Sequence, residues 1–523
     1  MPIHHFVRTL PASVVASWCS IAPAACTTSD PQPIAYTISM PAPESHLAHI
    51  KATIPTQGSQ SLDLFIPVWS PGFYHKEDHA AKVTDLSITA PDGSTLPVDK
   101  PKPNRWHVKT NGASSVVLTY SLLCDRKFVT TNWVGPDCAI LNGPATFITT
   151  LDHARPYEVT IVLPPQWEHA KSGLKPIDHA PARFSAPDYD TLVDCPIAVG
   201  TFDVREFHVG KSRHELVSIG DHGPWKPQRP VADLAKIVTA ARDMWGWNEL
   251  PFDHYVFLFA FGPGGGGLEH LNSTLVTSSP TAMETTNAYH GWLSLVSHEY
   301  FHAFNVKRLR PIELGPFDYE NPPTTASLWI SEGLTNYYGD LMVRRAGLST
   351  EPGLLRQISS QISQLQKSPG RLLQTLSQAS EQVWTSSTSG VRNDPTKTIS
   401  YYFKGPVVGF LLDARIRAAT SGARSLDDAM RLAYTRYSGA QGFTPSQFLA
   451  CASEVAAIDL SDWFHRALDS TDELDYAQAL DWFGLRFAPS DTPGASTWIL
   501  EPLPQPTDAQ KSHLADWARQ TTK

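Results

Sequence analysis

Cysteine is scarce in this chain, with six in 523 residues, and no two are spaced as Cys-x-x-Cys. That argues against a zinc site built from thiolates. Positive charge is also in deficit: Lys and Arg total 42 against 51 Asp and Glu, a formal net charge of −9. A nucleic-acid binder would normally carry a basic face, so nucleic acid is not an expected partner. No apolar run reaches the roughly 18–20 residues that a membrane-spanning helix needs. The VFLFAF run at 256–261 is far too short and reads as a buried strand. No internal repeat suggests a solenoid or propeller. What is left is an ordinary globular composition, 41% hydrophobic and 18% charged, long enough for two or three domains.

The first 26 residues read as a targeting segment. MPIHHFVR carries one Arg and is followed by the small, apolar LPASVVASWCSIAPAAC, in which Ala22-Pro23-Ala24 resembles a signal-peptidase site. A periplasmic or secreted protein is the expectation. The Pro and Ser content makes a poor apolar core, so a cytoplasmic protein is the alternative. Lipidation at Cys26 is a further reading, although Pro23 stands where such signals usually have Leu. Cys124 and Cys138 could close a disulfide in an oxidising compartment, or could be buried free thiols.

From about residue 30 to 215 short strands are cut by Pro, Gly and Asp, as in LDLFIPVW (62–69), SVVLTYSLL (115–123) and YEVTIVLPP (157–165). This pattern predicts an antiparallel, sandwich-like β domain. The character then changes. VADLAKIVTAARDMWGW (231–247) has helical periodicity, HYVFLFAF is a strand, and helices are expected around 292–306 and 327–347. The expected fold class is α+β: the β domain, a catalytic domain over 216–350, a helical C-terminal lobe over 351–488, and a Pro-rich tail with a short terminal helix over 489–523.

His298-Glu299-Tyr300-Phe301-His302 forms H-E-x-x-H. On a helix, residues four apart share a face, so both imidazoles can address one ion. Glu299, about 100° further round, can reach a metal-bound water without ligating the metal. Two imidazoles and one carboxylate suit a single zinc ion with its fourth position open. The expected third ligand is Glu332 in LWISEGLTNYY, because the apolar run before it suits a buried carboxylate, and such a group needs a partner. A helix N-terminal Glu stabilised by the dipole is the plainer reading. Glu313 and Glu320 are weaker candidates, placed among Pro and Gly.

Upstream, Gly264-Gly265-Gly266-Gly267-Leu268-Glu269-His270 lacks the Lys-Ser or Lys-Thr of a phosphate loop. It reads either as a flexible turn or as glycine backbone lying beside an extended peptide, with Glu269 free to pair with a substrate α-amino group. Tyr401-Tyr402 opens a late helix, where a hydroxyl could donate to an oxyanion or the rings could simply pack.

Taken together, these residues are similar to the glycyl aminopeptidase family of zinc peptidases, family M61. The stretches that carry the resemblance are PVWSPGFY (67–74), LNGPATF (141–147), FSAPDYDTLVDCPIAVG (184–200), GGLEHLNST (266–274), HEYFHAFNVKRLRP (298–311), LWISEGLTNYY (328–338), ISYYFKGPVVGFLLDARIR (399–417) and GFTPSQF (442–448). The resemblance implies a thermolysin-like catalytic domain behind an N-terminal β domain, an arrangement shared with the M1 aminopeptidases. It implies that Glu269, with Gly267 and Leu268, binds the amine of a peptide with a free N-terminus. It also implies that Tyr402, two positions before Lys404-Gly405, supports the oxyanion, and that the residue released is small, Gly or Ala. Phe304 stands where the family often has Trp. Members commonly carry a PDZ domain near the C-terminus; here LDWFGLRFAPS (480–490) runs almost directly into STWILEPLPQ, and that module reads as excised. The rival expectations are a zinc endopeptidase with the same metal site and a non-catalytic peptide-binding scaffold.

Overall fold

The computed structural model describes residues 31–519, less 153, 178–179, 181, 221–222, 224, 263–264, 386–393 and 491–495. The targeting expectation for residues 1–26 lies outside the described residues. No helix among them is long and apolar enough to cross a membrane.

Alternation of buried and exposed side chains makes the N-terminal part a set of sheets. Ile34–Ser39 and Leu47–Pro55 each bury every second residue, which is what a pleated strand with one core face requires. They belong to a seven-stranded sheet that is antiparallel throughout, save that Ile34–Ser39 runs parallel to Tyr157–Val162. Two four-stranded sheets complete this β-rich part. Cys124 and Cys138 are buried free thiols within it, as are Cys195 and, in the helical part, Cys451.

The part that carries the His298–His302 motif is built on a five-stranded mixed sheet. His254–Phe261 lies inside it, parallel to both Ser212–Ile219 and Ser273–Ser278, while Gly266–Glu269 is an antiparallel edge strand. The VFLFAF stretch of this strand is apolar throughout because both of its faces are covered. Tyr255, Phe257, Phe259 and Phe261 point to the helices. Val256, Leu258 and Ala260 point the other way, onto Cys138, Ile140 and Ala198 of the β-rich part. One strand thus glues the two parts together.

The helix carrying His298 spans Thr286–Phe301, and the Thr285 side chain caps it by accepting from the Ala288 N–H. It packs on the sheet through Trp292, Leu293, Val296 and Tyr300. The helix expected at 327–347 opens instead with a wide π turn, Trp329–Leu334, and continues as an α-helix over Thr335–Arg345. Further helices follow, among them Tyr401–Ala419. The terminal helix, Asp508–Trp517, folds back so that Trp517 is fully buried and donates its indole N–H to Tyr337 Oη at 2.7 Å.

Candidate active site

His298 and His302 lie one turn apart on the last turn of their helix, and their Nε2 atoms converge to 2.9 Å. Glu332 Oε2 lies 3.3 Å from His302 Nε2 and 3.7 Å from His298 Nε2. The chain makes this possible by stopping the helix at Phe301. The backbone then turns so that the Asn305 carbonyl accepts from His302 Nδ1 at 2.9 Å, which leaves Nε2 to face Glu332. The Asn305 amide in turn donates to the Ile330 carbonyl (2.8 Å) and to Thr335 Oγ1 (2.9 Å), locking the Glu332 turn against the histidines. A π turn widens the helix at the position that must present this carboxylate. A Cβ added at Gly333 would stand 2.6 Å from Gly405 Cα, so glycine at both positions lets the Tyr402 helix cross directly over that turn.

Tyr402 reaches the site from this crossing. Its ring centroid is 6.2 Å from that of His298, and Asn336 Nδ2 donates to its carbonyl at 2.9 Å. Burial, with Glu332 next, holds its phenol well above the usual range, so it stays a proton donor.

Glu299 and Glu269 approach from the other side. Ligand atoms of Glu269, Glu299 and His302 lie within 4.8 Å of one another, as do those of His298, His302 and Glu332. Glu269 ends the edge strand rather than sitting in a loop. Gly267 on that strand is required by Glu299: a Cβ there would run into the Glu299 carboxylate. Gly72, from the β-rich part, has φ +93° and lies so close to Glu269 that a Cβ would meet its carboxylate as well. Leu268 points away, into the sheet core.

Burial pushes Glu299 well above the usual carboxylate range and Glu269 up to about 7. Burial acts on Glu332 in the same sense, but His302 and His298 together outweigh it and hold the carboxyl down to about 2. Burial alone would lower His302; Glu332, then Glu269, overcome it and hold the imidazole up to about 10. Glu269 Oε1, Glu299 Oε2 and Glu332 Oε1 are all buried with no hydrogen-bond partner among the described residues. Three carboxylates with orphaned oxygens around two imidazoles form a site that takes up positive charge, and a divalent ion fits it.

Sequence reasoning missed several of the surrounding groups. Tyr74 is buried with its hydroxyl facing Glu332 and Glu269, and after burial these carboxylates do most to hold its proton on. Asp194 accepts from the Leu271 N–H (2.7 Å) and from Lys307 Nζ (2.6 Å), fixing the chain just past Glu269. The only available signal for Tyr74 and Asp194 was their place inside stretches already singled out. The rejected candidates have other roles: Glu320 pairs with Arg105, and Glu313 accepts from Thr325 Oγ1.

The same combination of parts recurs in known proteins. A sequence model of the M61 peptidase N-terminal domain matches residues 35–201, and one of the M61 glycyl aminopeptidase matches residues 291–408. Together they span more than half of the chain. The chain belongs to peptidase family M61. This M61 protein is by class a metallopeptidase. Its fold is similar to that of an aminopeptidase N family protein from Idiomarina loihiensis, with TM-score 0.81 and 27% identity over 87% of this chain and 79% of that one. An M1 zinc metallopeptidase from Deinococcus radiodurans shares the fold more distantly, with TM-score 0.51 and 12% identity over 85% of this chain and 95% of that one. Among the curated proteins compared with it, none matches.

Proposed function

We propose that this M61 peptidase is a zinc-dependent aminopeptidase that removes the first residue of peptides with a free N-terminus. His298, His302 and Glu332 would hold the ion, a donor set that suits zinc with one position open. When bound, the ion supplies Lewis acidity that polarises the scissile carbonyl and lowers the pKa of water.

The remaining steps belong to the chain. Glu299 takes the proton of the attacking water and delivers it to the leaving amine. Its Oε2 has no hydrogen-bond partner among the described residues, and the bare backbone of Gly267 leaves its carboxylate room beside an extended substrate. The Tyr402 hydroxyl, kept protonated, donates to the oxygen that gains charge as the carbonyl becomes tetrahedral. Glu269 accepts the substrate ammonium. The observation that carries the exopeptidase reading is this carboxylate: it is 3% exposed, unpartnered at Oε1 and within reach of the catalytic cluster. A buried carboxylate of that kind gains most from an incoming cation, and an ammonium there fixes the register one residue from the chain end. The residue removed is small, Gly or Ala, a reading supported by the description of the matched family as glycyl aminopeptidase.

Product analysis by mass spectrometry tests the reading. Zinc-loaded protein should shorten free peptides by one residue at a time and leave their N-acetylated forms intact. Internal cleavage of both forms would show an endopeptidase and remove the role given to Glu269.

A further inference from the structure

Away from the catalytic cluster, three helices border another cavity, of about 270 Å³. Asn287, His290 and Ser294 reach it from the helix that carries His298, Asp340 from Thr335–Arg345, and Arg356 and Gln357 from the helix Glu351–Lys367. Its walls share no residue with the catalytic cluster. We propose that this cavity binds a small organic monocation, a primary ammonium on a polar body, through the Asp340 carboxylate. The inference does not rest on the aminopeptidase reading.

The carboxylate comes first. Asp340 is 9% exposed, and no cation pairs with it among the described residues. Burial pushes its pKa up to about 6, and the Ser294 hydroxyl, which works the other way, does not offset this. An ionised carboxylate accepts about four hydrogen bonds, so one hydroxyl leaves most of that capacity unused. Withdrawn from water and short of partners, such a group gains most from an incoming positive charge. Arg356 also lines the cavity, but it is exposed and is not among the groups that act on Asp340. His290 is the other titratable wall residue.

Size and chemistry then choose among cations. A cavity of roughly 150 Å³ already admits a benzene ring, so this one has room for a molecule. A hard divalent ion gathers six or more oxygens closely around itself. Here a single carboxylate faces a space far wider than an ion. A primary ammonium has three N–H donors. One can meet Asp340, and the side-chain oxygens of Asn287, Ser294 and Gln357 are neutral acceptors on the same walls. Arg356 opposes a second positive charge, which favours a monocation over a diamine. The place is behind the metal-ligand helix. Ser294 lies one turn before His298, and a Cβ at the neighbouring Gly339 would stand 3.3 Å from the His298 backbone nitrogen.

The test is isothermal titration at pH 8 with ethanolammonium chloride. Potassium chloride at matched ionic strength controls for charge alone, and ethylene glycol for the neutral body. Glu269→Gln serves as the parent chain, because the Glu269 carboxylate could take the same cation. One ethanolammonium per chain should bind, and Asp340→Asn should weaken it about 10-fold or more. Gln357→Trp, which fills the cavity and keeps the carboxylate, should do the same. Absence of saturable binding, equal affinity for potassium or glycol, or an affinity unchanged in either variant would overturn the proposal. Urea unfolding at pH 8 gives a second readout. The folded-state pKa of Asp340 lies above the ordinary 3.8, so its ionisation there weighs against the folded state. Without ligand, Asp340→Asn should therefore unfold at equal or higher urea than its parent. A lower midpoint would show that the fold already partners this carboxylate, and would overturn the site as well.

Discussion

Single atoms decide the chemistry at Gly267. A methyl group there would run into the Glu299 side chain, which supplies its three nearest atoms. Gly267→Ala should therefore keep its metal, measured by elemental analysis, and lose about 100-fold in kcat, because a displacement near 1 Å costs a general base about that much. Glu299→Gln should also keep the metal but lose more, about 10³-fold or beyond. Loss of metal from either variant would count against the separation of roles drawn here. At this scale the sequence was highly legible where the residues are contiguous. His298, Glu299 and His302 announce themselves by spacing alone, and Glu332 by the apolar run before it. Tyr74, Asn305 and Asp194 do not. Tyr74 meets Glu332 only after the β-rich part docks, and the Asn305 carbonyl meets His302 only after the helix stops, so no local pattern encodes either.

At the scale of strands and helices, most elements follow from periodicity, and the departures have local causes. The motif helix begins at Thr286 rather than near 292, because the Thr285 cap sits about two turns upstream of Trp292, where the apolar stripe begins. The π turn at Glu332 carries no sequence signature beyond Gly333, whose significance lies in a helix that arrives about seventy residues later. The strand Ser212–Ile219 makes a pH prediction. Its Glu215 side chain is 4% exposed, clasped by Lys171 at 2.5 Å and His254 at 2.8 Å. Burial works against its ionised form, but these partners prevail and lower its pKa from the ordinary 4.5 to about 2. Between those values the unfolded chain binds the proton and the folded one does not. The stabilisation is thus complete above pH 4.5 and is lost as pH falls toward 2. In urea titrations, Glu215→Gln should unfold at lower denaturant than the wild type at pH 7, with the gap narrowing toward pH 3. A gap independent of pH would show that the clasp is not the source.

The whole molecule closes through its last described helix. Trp517 packs on Phe410 and Phe483, and its indole N–H meets Tyr337, whose hydroxyl donates to Asp413 at 2.8 Å. Trp517→Ala should cost about 3–5 kcal/mol in chemical unfolding, the range for emptying a large aromatic site in a core. A change below about 1 kcal/mol would mean that the terminal helix is only loosely attached. The order of parts, β-rich, then mixed, then helical, was readable from composition and period. The way the tail seals the helical part was not, because LEPLPQP and the helix after it carry too few apolar residues to declare which core they join.

The contact between Gly72 and Glu269 has a consequence for recombination. The β-rich part is not an exchangeable cassette. A chimera that borrowed it from a relative would import whatever residue that relative carries at position 72, directly against the carboxylate proposed to receive the substrate ammonium. Any side chain there would occupy that place before the substrate arrived. Compatibility between donors would then hinge on one small position in a surface-to-core turn, whatever the similarity of the remaining sheets.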